Sequence, residues 1–463
     1  MERLGRGRRR RGQVRRGRPR RHRGKRPGVR RPLPLCRAVV ARIPRTRPVS
    51  PQVARSSSGS AVRDVLAPLR QRDFRLLFAG RTVSFAGTAM ANIALAFAVL
   101  SLGGDASDLG LVLALATLPA VGFLLVGGIL ADRLPRHHLM VGANVASGTV
   151  QALVALLLLT GQAEIWHLAV AGLVRTVAQS FFWPAQQAIV PQVVPAAQLQ
   201  QANALLRTTL NSAQIGGAAA GGAIVALAGP GWAIAVDAAS YFAAAVLLMA
   251  MRVGPPVAEA TEPFVRAFRV GWREFASRTW VWVVVIGFAL VNGAESAALN
   301  VLGPIVAERS LGGAAVWGLV LAASGVGLVL GAIIALRYRP THPIRVGILA
   351  TFPLALPVAL LAIEAPWPLI ALGILVASMG IELFGVLWDT SLQAHVPNDV
   401  LSRVAAWDAV GSIVLMPVAY VVVGPIASAF GLPTTLWGCA TLILVATALQ
   451  LLSREARNLR RVA

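Results

Sequence analysis

An all-α integral membrane fold of twelve transmembrane helices, arranged as two pseudo-symmetric six-helix bundles, is predicted by three observations. The 463-residue chain is 56% hydrophobic and only 14% charged, with a mean hydropathy of +0.66. Apolar runs long enough to cross a bilayer recur twelve times along it. Arginines beyond the first of these runs fall almost entirely in alternate loops. A soluble chain of this length needs more polar surface around its core. Each membrane span must satisfy its own backbone hydrogen bonds, which makes helix the expected state throughout.

The first element in chain order is a tail, residues 1–65. Of the net charge of +25, residues 1–60 carry +20, from twenty Arg and Lys25 against Glu2. This segment is rich in Arg, Pro and Gly and too poor in apolar residues to bury a core. Three readings compete: phosphate neutralisation on RNA or DNA, contact with anionic lipid at the cytoplasmic face, and translated upstream sequence outside the working protein. The last is preferred, because the run lacks the aromatic residues on which bases stack. No nucleic-acid partner is expected, and the working start is placed near Val62, a placement that detection of Met1 by intact-mass spectrometry would reject. The first long apolar run begins only near Leu76, so the tail is not a cleaved signal peptide.

A helix crossing the hydrocarbon core takes about 20 apolar residues. Such segments lie near 76–102, 109–131, 138–160, 166–190, 203–228, 232–251, 280–305, 315–336, 344–363, 367–390, 404–429 and 433–453. With the N-terminus inside, the inside loops and C-terminal tail hold fifteen arginines, whereas the outside loops hold Arg309 alone. The outside loops instead carry Asp105, Asp108, Glu164, Glu308 and Glu364. Basic residues are retained on the cytoplasmic side, and one miscounted span would scramble the asymmetry. The expectation is a multi-pass protein of a bacterial cytoplasmic membrane with both termini in the cytoplasm.

The spans fall into a bundle over 66–251, a cytoplasmic linker over 252–279, a second bundle over 280–453 and a short tail over 454–463. Within the linker, Phe264 to Phe275 alternates apolar and basic residues, which suits either an amphipathic helix on the inner leaflet or a plain connector. The two bundles share matches at a near-constant offset. Gly127-Gly128-Ile129-Leu130-Ala131-Asp132-Arg133 corresponds to Gly331-Ala332-Ile333-Ile334-Ala335-Leu336-Arg337, and Pro191 corresponds to Pro397. Gln187-Ala188-Ile189-Val190 and Gln393-Ala394-His395-Val396 precede those prolines. Matching halves of six spans suit two bundles that rock about a site between them. Cys36 and Cys439 have neither metal-ligand spacing nor a disulfide partner and read as unpaired thiols.

The loop Gly128-Ile129-Leu130-Ala131-Asp132-Arg133-Leu134-Pro135-Arg136 resembles the signature between spans two and three of the major facilitator superfamily. The resemblance implies a gating motif of Gly128, Asp132, Arg133 and Arg136, with Asp132 latching the cytoplasmic side shut in the outward-open state. A carboxylate there can meet a helix N-terminus or an arginine. The second-half copy has Leu336 in place of the acid. Phe182-Trp183-Pro184-Ala185, Ile189-Val190-Pro191 and Ala202-Asn203-Ala204-Leu205 are similar to a branch containing enterobactin-type siderophore exporters and drug-efflux carriers. So are Phe74-Arg75-Leu76-Leu77 and Ser84-Phe85-Ala86-Gly87, and the resemblance covers roughly residues 68–453. Gly217-Ala218-Ala219-Ala220-Gly221-Gly222 resembles the superfamily's antiporter motif in span five, with Ala218 where that motif has Pro. Gly217, Gly221 and Gly222 also suit close helix packing.

Ionisable groups inside spans are costly and therefore mark function. Arg175, Asp237, Glu295, Glu382, Asp389 and Asp408 stand out; Arg81 and Arg207 lie near inner ends, where long side chains snorkel to the surface. Glu382 and Asp389 are seven apart and share a helix face. A carboxyl that holds a proton in one conformation and releases it in another couples proton flow to cargo movement. Glu382 and Glu295 are the leading candidates for proton coupling or for holding a cationic substrate group; the rival reading is a static pair with a base such as Arg175. Arg175 resembles the arginine of a fourth-span motif linked to proton transfer. Asp237, with Tyr241 one turn on, suits a structural hydrogen bond or a substrate contact.

The chain is expected to be a secondary active transporter, using protons to export a small amphiphilic compound such as a drug, siderophore or secondary metabolite. The cavity is expected near the midplane, with Phe182, Trp183, Phe384 and Trp388 as candidate lining. Proton-symport import of a nutrient is the alternative within transport, and a membrane-embedded sensor the alternative outside it. No nucleophile–base set, phosphate loop or metal cluster is visible in the sequence, so no enzyme activity, metal or cofactor is expected. The expected partners are a small-molecule substrate, protons and membrane lipid, with the chain a monomer.

Overall fold

The computed structural model describes residues 66–131, 136–253 and 264–461. They are helical almost throughout, and no strand occurs among them. The Arg-rich tail with Cys36, the start near Val62, and Asp132 and Arg133 of the loop motif lie outside the described residues.

The first half contributes α1 (Arg72–Ser101), α2 (Ala106–Ala131), α3 (Arg136–Leu159), α4 (Ile165–Val193), α5 (Leu199–Ala228) and α6 (Pro230–Met249). The second contributes α7 (Thr279–Leu311), α8 (Gly313–Arg337), α9 (Pro343–Ala362), α10 (Trp367–His395), α11 (Val400–Phe430) and α12 (Leu432–Gln450). Eleven helices among the described residues are long and apolar enough to cross a membrane. The twelfth expected span is α2, a continuous helix of 26 residues. Proline opens α6, α9 and α12 from the first turn, where its missing N–H has no helical partner to lose. α7 runs past its expected end near 305, through π-helical stretches at Ala297–Leu302 and Ala307–Leu311 on either side of Pro304. Wider turns of this kind absorb the ring that an ideal helix would exclude.

By sequence the loops alternate between an Arg-rich and an Arg-poor end. At the Arg-poor end the turns of the two halves match. Gly103, Gly161 and Gly229 have positive φ in the first half, as do Gly312, Glu364 and Gly431 in the second. Gly229 (φ 90°, ψ 165°) and Gly431 (φ 84°, ψ 155°) adopt almost the same conformation, one that essentially requires glycine. The internal repeat therefore extends to three pairs of turns that the sequence matches did not include.

The buried apolar residues form one shared core and two separate ones. The shared core lies towards the Arg-poor end and draws on both halves, from Phe97, Leu109 and Leu168 to Val301, Trp317 and Leu436. Towards the Arg-rich end, Phe74, Leu77, Met140, Phe182 and Leu206 pack as a first-half core. Trp280, Phe288, Phe384, Trp388 and Val404 pack as a distinct second-half core. The halves meet through α2 against α11 and α5 against α8.

The structure decides between the two readings of the linker and corrects one expectation. The linker segment is a helix, Phe264–Ala276, and its apolar face covers protein as well as lying at a surface. Trp272 and Phe275 meet Trp407 of α11 at ring-centroid distances of 4.8 and 6.4 Å, and Phe275 is buried. Arg81 does not snorkel free: it is 6% exposed and stacks over the Phe85 ring at 4.9 Å. A cation–π contact meets it where solvent was expected to.

Candidate functional site

Between the halves lies a cavity of about 430 Å³, lined from α1, α2, α4 and α5 on one side and α7, α8 and α11 on the other. The size is that of a small-molecule pocket. Arg175 and Thr176 of α4, Asn92 of α1 and Gln214 of α5 supply first-half polar groups. Asn300 of α7, Ser324 of α8 and Tyr420 of α11 supply those of the second half. Asn300 lies in the first π-helical stretch, and its amide donates to the Tyr420 hydroxyl at 3.0 Å. Trp317, Leu321 and Leu113 provide apolar walls.

Glycines close the Arg-poor end of this cavity. A Cβ at Gly318 of α8 would stand 2.6 Å from the Ala218 carbonyl oxygen and 3.1 Å from Gly222 Cα, both in α5. At Gly110 of α2 and Gly424 of α11 the backbones of Tyr420 and Ser107 come closer still. Towards the Arg-rich end the small residues Gly216 of α5 and Gly385 of α10 face open space. Of the antiporter-like motif, Gly222 makes the α5–α8 contact. Gly217 and Gly221 instead seat α5 on α1, where an added Cβ would stand 2.6 Å from Ala89 Cβ and 2.7 Å from Met90 Cα.

The candidate charges separate into three groups. Behind the cavity wall, Asp237 of α6 is fully buried and accepts from Gln151 Nε2 at 2.6 Å. Tyr241 shares a hydrogen bond of 2.9 Å with Thr88. Arg175 lies against Asp237 and Tyr241, within electrostatic reach of both. Asp237 is thus its charged neighbour, though no ion pair joins them, and the rival pairing of Arg175 with Glu382 is not formed among the described residues. Gly87 permits this packing: a Cβ there would sit 2.9 Å from Asp237 Oδ1.

The second group lies towards the Arg-rich end. Glu382 and Asp389 of α10 share a face and act on Arg207 of α5, so a base of one half confronts two acids of the other. Their charged atoms are more than 4.0 Å apart, since no ion pair between them is formed. Asp408 of α11, near Asp389, is held by the Trp388 indole N–H at 2.9 Å. The third group is Glu295 alone. It is half-buried on α7, one turn from cavity-lining Leu299, and no hydrogen bond or counter-ion reaches it among the described residues.

Gly128 falls within α2, while Asp132 and Arg133 and the Arg136 side chain are outside the described residues. The aromatic lining differs from expectation. Phe182 is buried in the first-half core, and Phe384 stacks between Phe288 (4.2 Å) and Trp388 (5.8 Å) in the second-half core. The Trp183 side chain lies outside the described residues. The cavity aromatics are Trp317 and Tyr420, which the sequence reading missed. A tryptophan in an apolar span carries no mark of which way its helix is rotated.

Comparison with known proteins agrees with this geometry. Residues 63–459 match the family model described as transmembrane secretion effector. The enterobactin exporter EntS of Escherichia coli O1:K1 / APEC is 24% identical over 355 residues, covering 74% of this chain and 84% of that protein. The same exporter from Shigella boydii serotype 18 is 25% identical over the same coverage. Among solved structures, a bacterial homologue of the human lysosomal transporter Spinster, inward-facing and unoccupied, superposes with a TM-score of 0.69. It is 15% identical, covering 84% of this chain and 98% of that one. The nucleoside transporter NupG superposes with a TM-score of 0.62 at 15% identity, covering 82% and 98%. These structures share the fold of this chain. A multi-pass membrane protein and not an enzyme, the chain belongs to the transmembrane secretion effector family of the major facilitator superfamily.

Proposed function

We propose that this protein is a proton-coupled exporter, working by alternating access in a bacterial cytoplasmic membrane with both termini in the cytoplasm. The observation that carries the reading is the arrangement of cores: one shared core towards the Arg-poor end and two separate cores towards the Arg-rich end. Two six-helix units that, among the described residues, share a core at one end and have separate cores at the other suit a site that faces one side at a time. Arginine retention supports a cytoplasmic side for the end with separate cores. The similarity to enterobactin exporters supports outward movement of a small amphiphilic compound.

Within this reading the three charge groups take different roles. Glu295, one turn from the cavity lining and with no counter-ion among the described residues, carries the coupling proton. Arg207 facing Glu382 and Asp389 is an electrostatic latch that shortens when the cytoplasmic end closes. Asp237 holds Arg175 at the cavity wall.

The test is proton release from acid-loaded everted vesicles containing the full chain, followed with a pH-sensitive dye while siderophores and amphiphilic drugs are added. Compound-triggered release that disappears in Glu295→Gln, with compound binding retained, is the expected result. Release that persists undiminished in Glu295→Gln rejects the assignment of that residue. Absence of release for every compound, in protein that binds one of them, rejects proton-coupled export.

A further inference from the structure

We propose that the central cavity selects an amphiphile by an anionic group, held by Arg175, and discriminates against cations. This deepens the transporter reading above and rests on it for the site's purpose. Among the described residues lining the cavity, Arg175 is the only one that carries charge at neutral pH, and no carboxylate lines it. The lower part of α2, residues 120–131, contributes no ionisable residue to the sequence either.

The arrangement behind Arg175 fits a recognition group better than a closed ion pair. Asp237 offsets the cost of burying a guanidinium, but it is fully buried and does not line the cavity. Its Oδ2 is taken by Gln151, and its Oδ1 has no hydrogen-bond partner, so Asp237 does not clamp Arg175 through two parallel bonds. A guanidinium has five N–H donors, and those not turned to Asp237 and Tyr241 remain for the cavity. Asn92 and Gln214 line the same space, and their amides make no hydrogen bond among the described residues. They can complete the coordination of a carboxylate, sulfonate, phosphate, hydroxamate or catecholate oxygen. Trp317 and Leu321 then receive the apolar body. A cation in this cavity would meet a like charge, with no acid among the described lining residues to offset it.

The test uses three probes of nearly one shape: 1-naphthoate, 1-naphthalenemethanol and 1-naphthylmethylammonium. Binding to the full chain in lipid nanodiscs is measured by titration calorimetry, which needs no turnover. Naphthoate should bind at least about tenfold tighter than the alcohol, as expected for a charge-assisted hydrogen bond, and the ammonium weakest. Arg175→Gln should erase the preference, and Arg175→Lys should keep most of it. Arg337→Gln, at the exposed end of α8 outside the cavity, should leave it unchanged. Equal affinities, a tighter cation, failure of all three probes to bind at 1 mM, or an anion preference surviving in folded Arg175→Gln each overturns the proposal. If Arg175→Gln fails to fold, the charge series on the unmodified chain and the Arg175→Lys variant still decide. Cation preference in a chain that releases protons would refute this inference and spare the transport reading. Anion preference in a chain that releases none would do the reverse.

Discussion

Adding a single methyl group at Gly318 should open the Arg-poor end. A Cβ there would stand 2.6 Å from the Ala218 carbonyl oxygen, about 0.8 Å short of ordinary contact at 3.4 Å. The obstacle is backbone, so no rotamer change can relieve it; α5 and α8 must separate. Overpacking of this kind costs about 1–3 kcal/mol, and the cost exists only in the state where the two helices touch. The gain in helix propensity of Ala over Gly is common to both states and cancels. Gly318→Ala should therefore shift the equilibrium about 5- to 150-fold towards the form open at the Arg-poor end. Nitroxide labels at Leu227→Cys, near the end of α5, and Arg309→Cys, near the end of α7, report the separation by double electron–electron resonance, with Cys36 and Cys439 replaced by Ser. The longer-distance population should grow in Gly318→Ala. It should stay unchanged in Gly216→Ala, where a Cβ meets nothing within 4 Å. An unchanged distribution in Gly318→Ala would refute the claim that glycine contact closes this end.

Four further outcomes follow from the geometry. Gly87→Ala would place a methyl 2.8 Å from Ser240 Cβ and 2.9 Å from Asp237 Oδ1, and should lower the thermal midpoint in detergent while costing about 1–3 kcal/mol. Trp388→Phe removes the indole donor to Asp408 and should destabilise by about 1–3 kcal/mol through an unsatisfied carboxyl; Asp408→Asn in the same background should recover part of that loss. Glu364→Gly replaces the one non-glycine at positive φ among the described residues, 47°, and should raise the midpoint by the equivalent of about 1 kcal/mol. Arg207→Glu puts like charges on both sides of the α5–α10 gap and should favour the form open at the Arg-rich end. Reversal with Glu382→Arg should restore the balance, with a coupling of only about 0.2–1 kcal/mol because these groups are partly solvated.

The architecture was legible because it rests on long-range composition. Twelve apolar runs set the helix number, and alternating arginines set an expectation for the loop sides, without any knowledge of which helix touches which. Span ends were less legible. The continuation of α7 beyond 305 depends on π-helical turns around Pro304, for which no sequence signal was available. The charges could be picked out as suspects, since any ionisable group in a span is conspicuous, but their partners could not. Arg175 lies with Asp237, and Glu382 with Arg207, because helix rotation and interhelical neighbours decide pairing. For the same reason the aromatics Phe384 and Trp388 were assigned to the cavity when they fill the second-half core, and Trp317 was overlooked. Small residues were read as packing or motif; only the backbone contacts separate Gly222, which touches the other half, from Gly217 and Gly221, which do not.

The closure of the Arg-poor end has a kinetic consequence. Where Gly110, Gly222, Gly318 and Gly424 meet opposing backbone, there are few rotamers to order on closing and few to release on opening. Side-chain conformational entropy is near zero for glycine and alanine, so the two forms differ little in that quantity. A seal of interlocking leucines would need many side chains to disengage in concert, with a correspondingly tall barrier. At these four crossings backbone meets backbone, so this part of the closure parts as two rigid surfaces, while the shared apolar core beside it still has side chains to separate. At the glycine crossings themselves, exchange between the two forms should then be limited by helix tilting on the microsecond-to-millisecond scale, with little contribution from rotamer repacking at those four points.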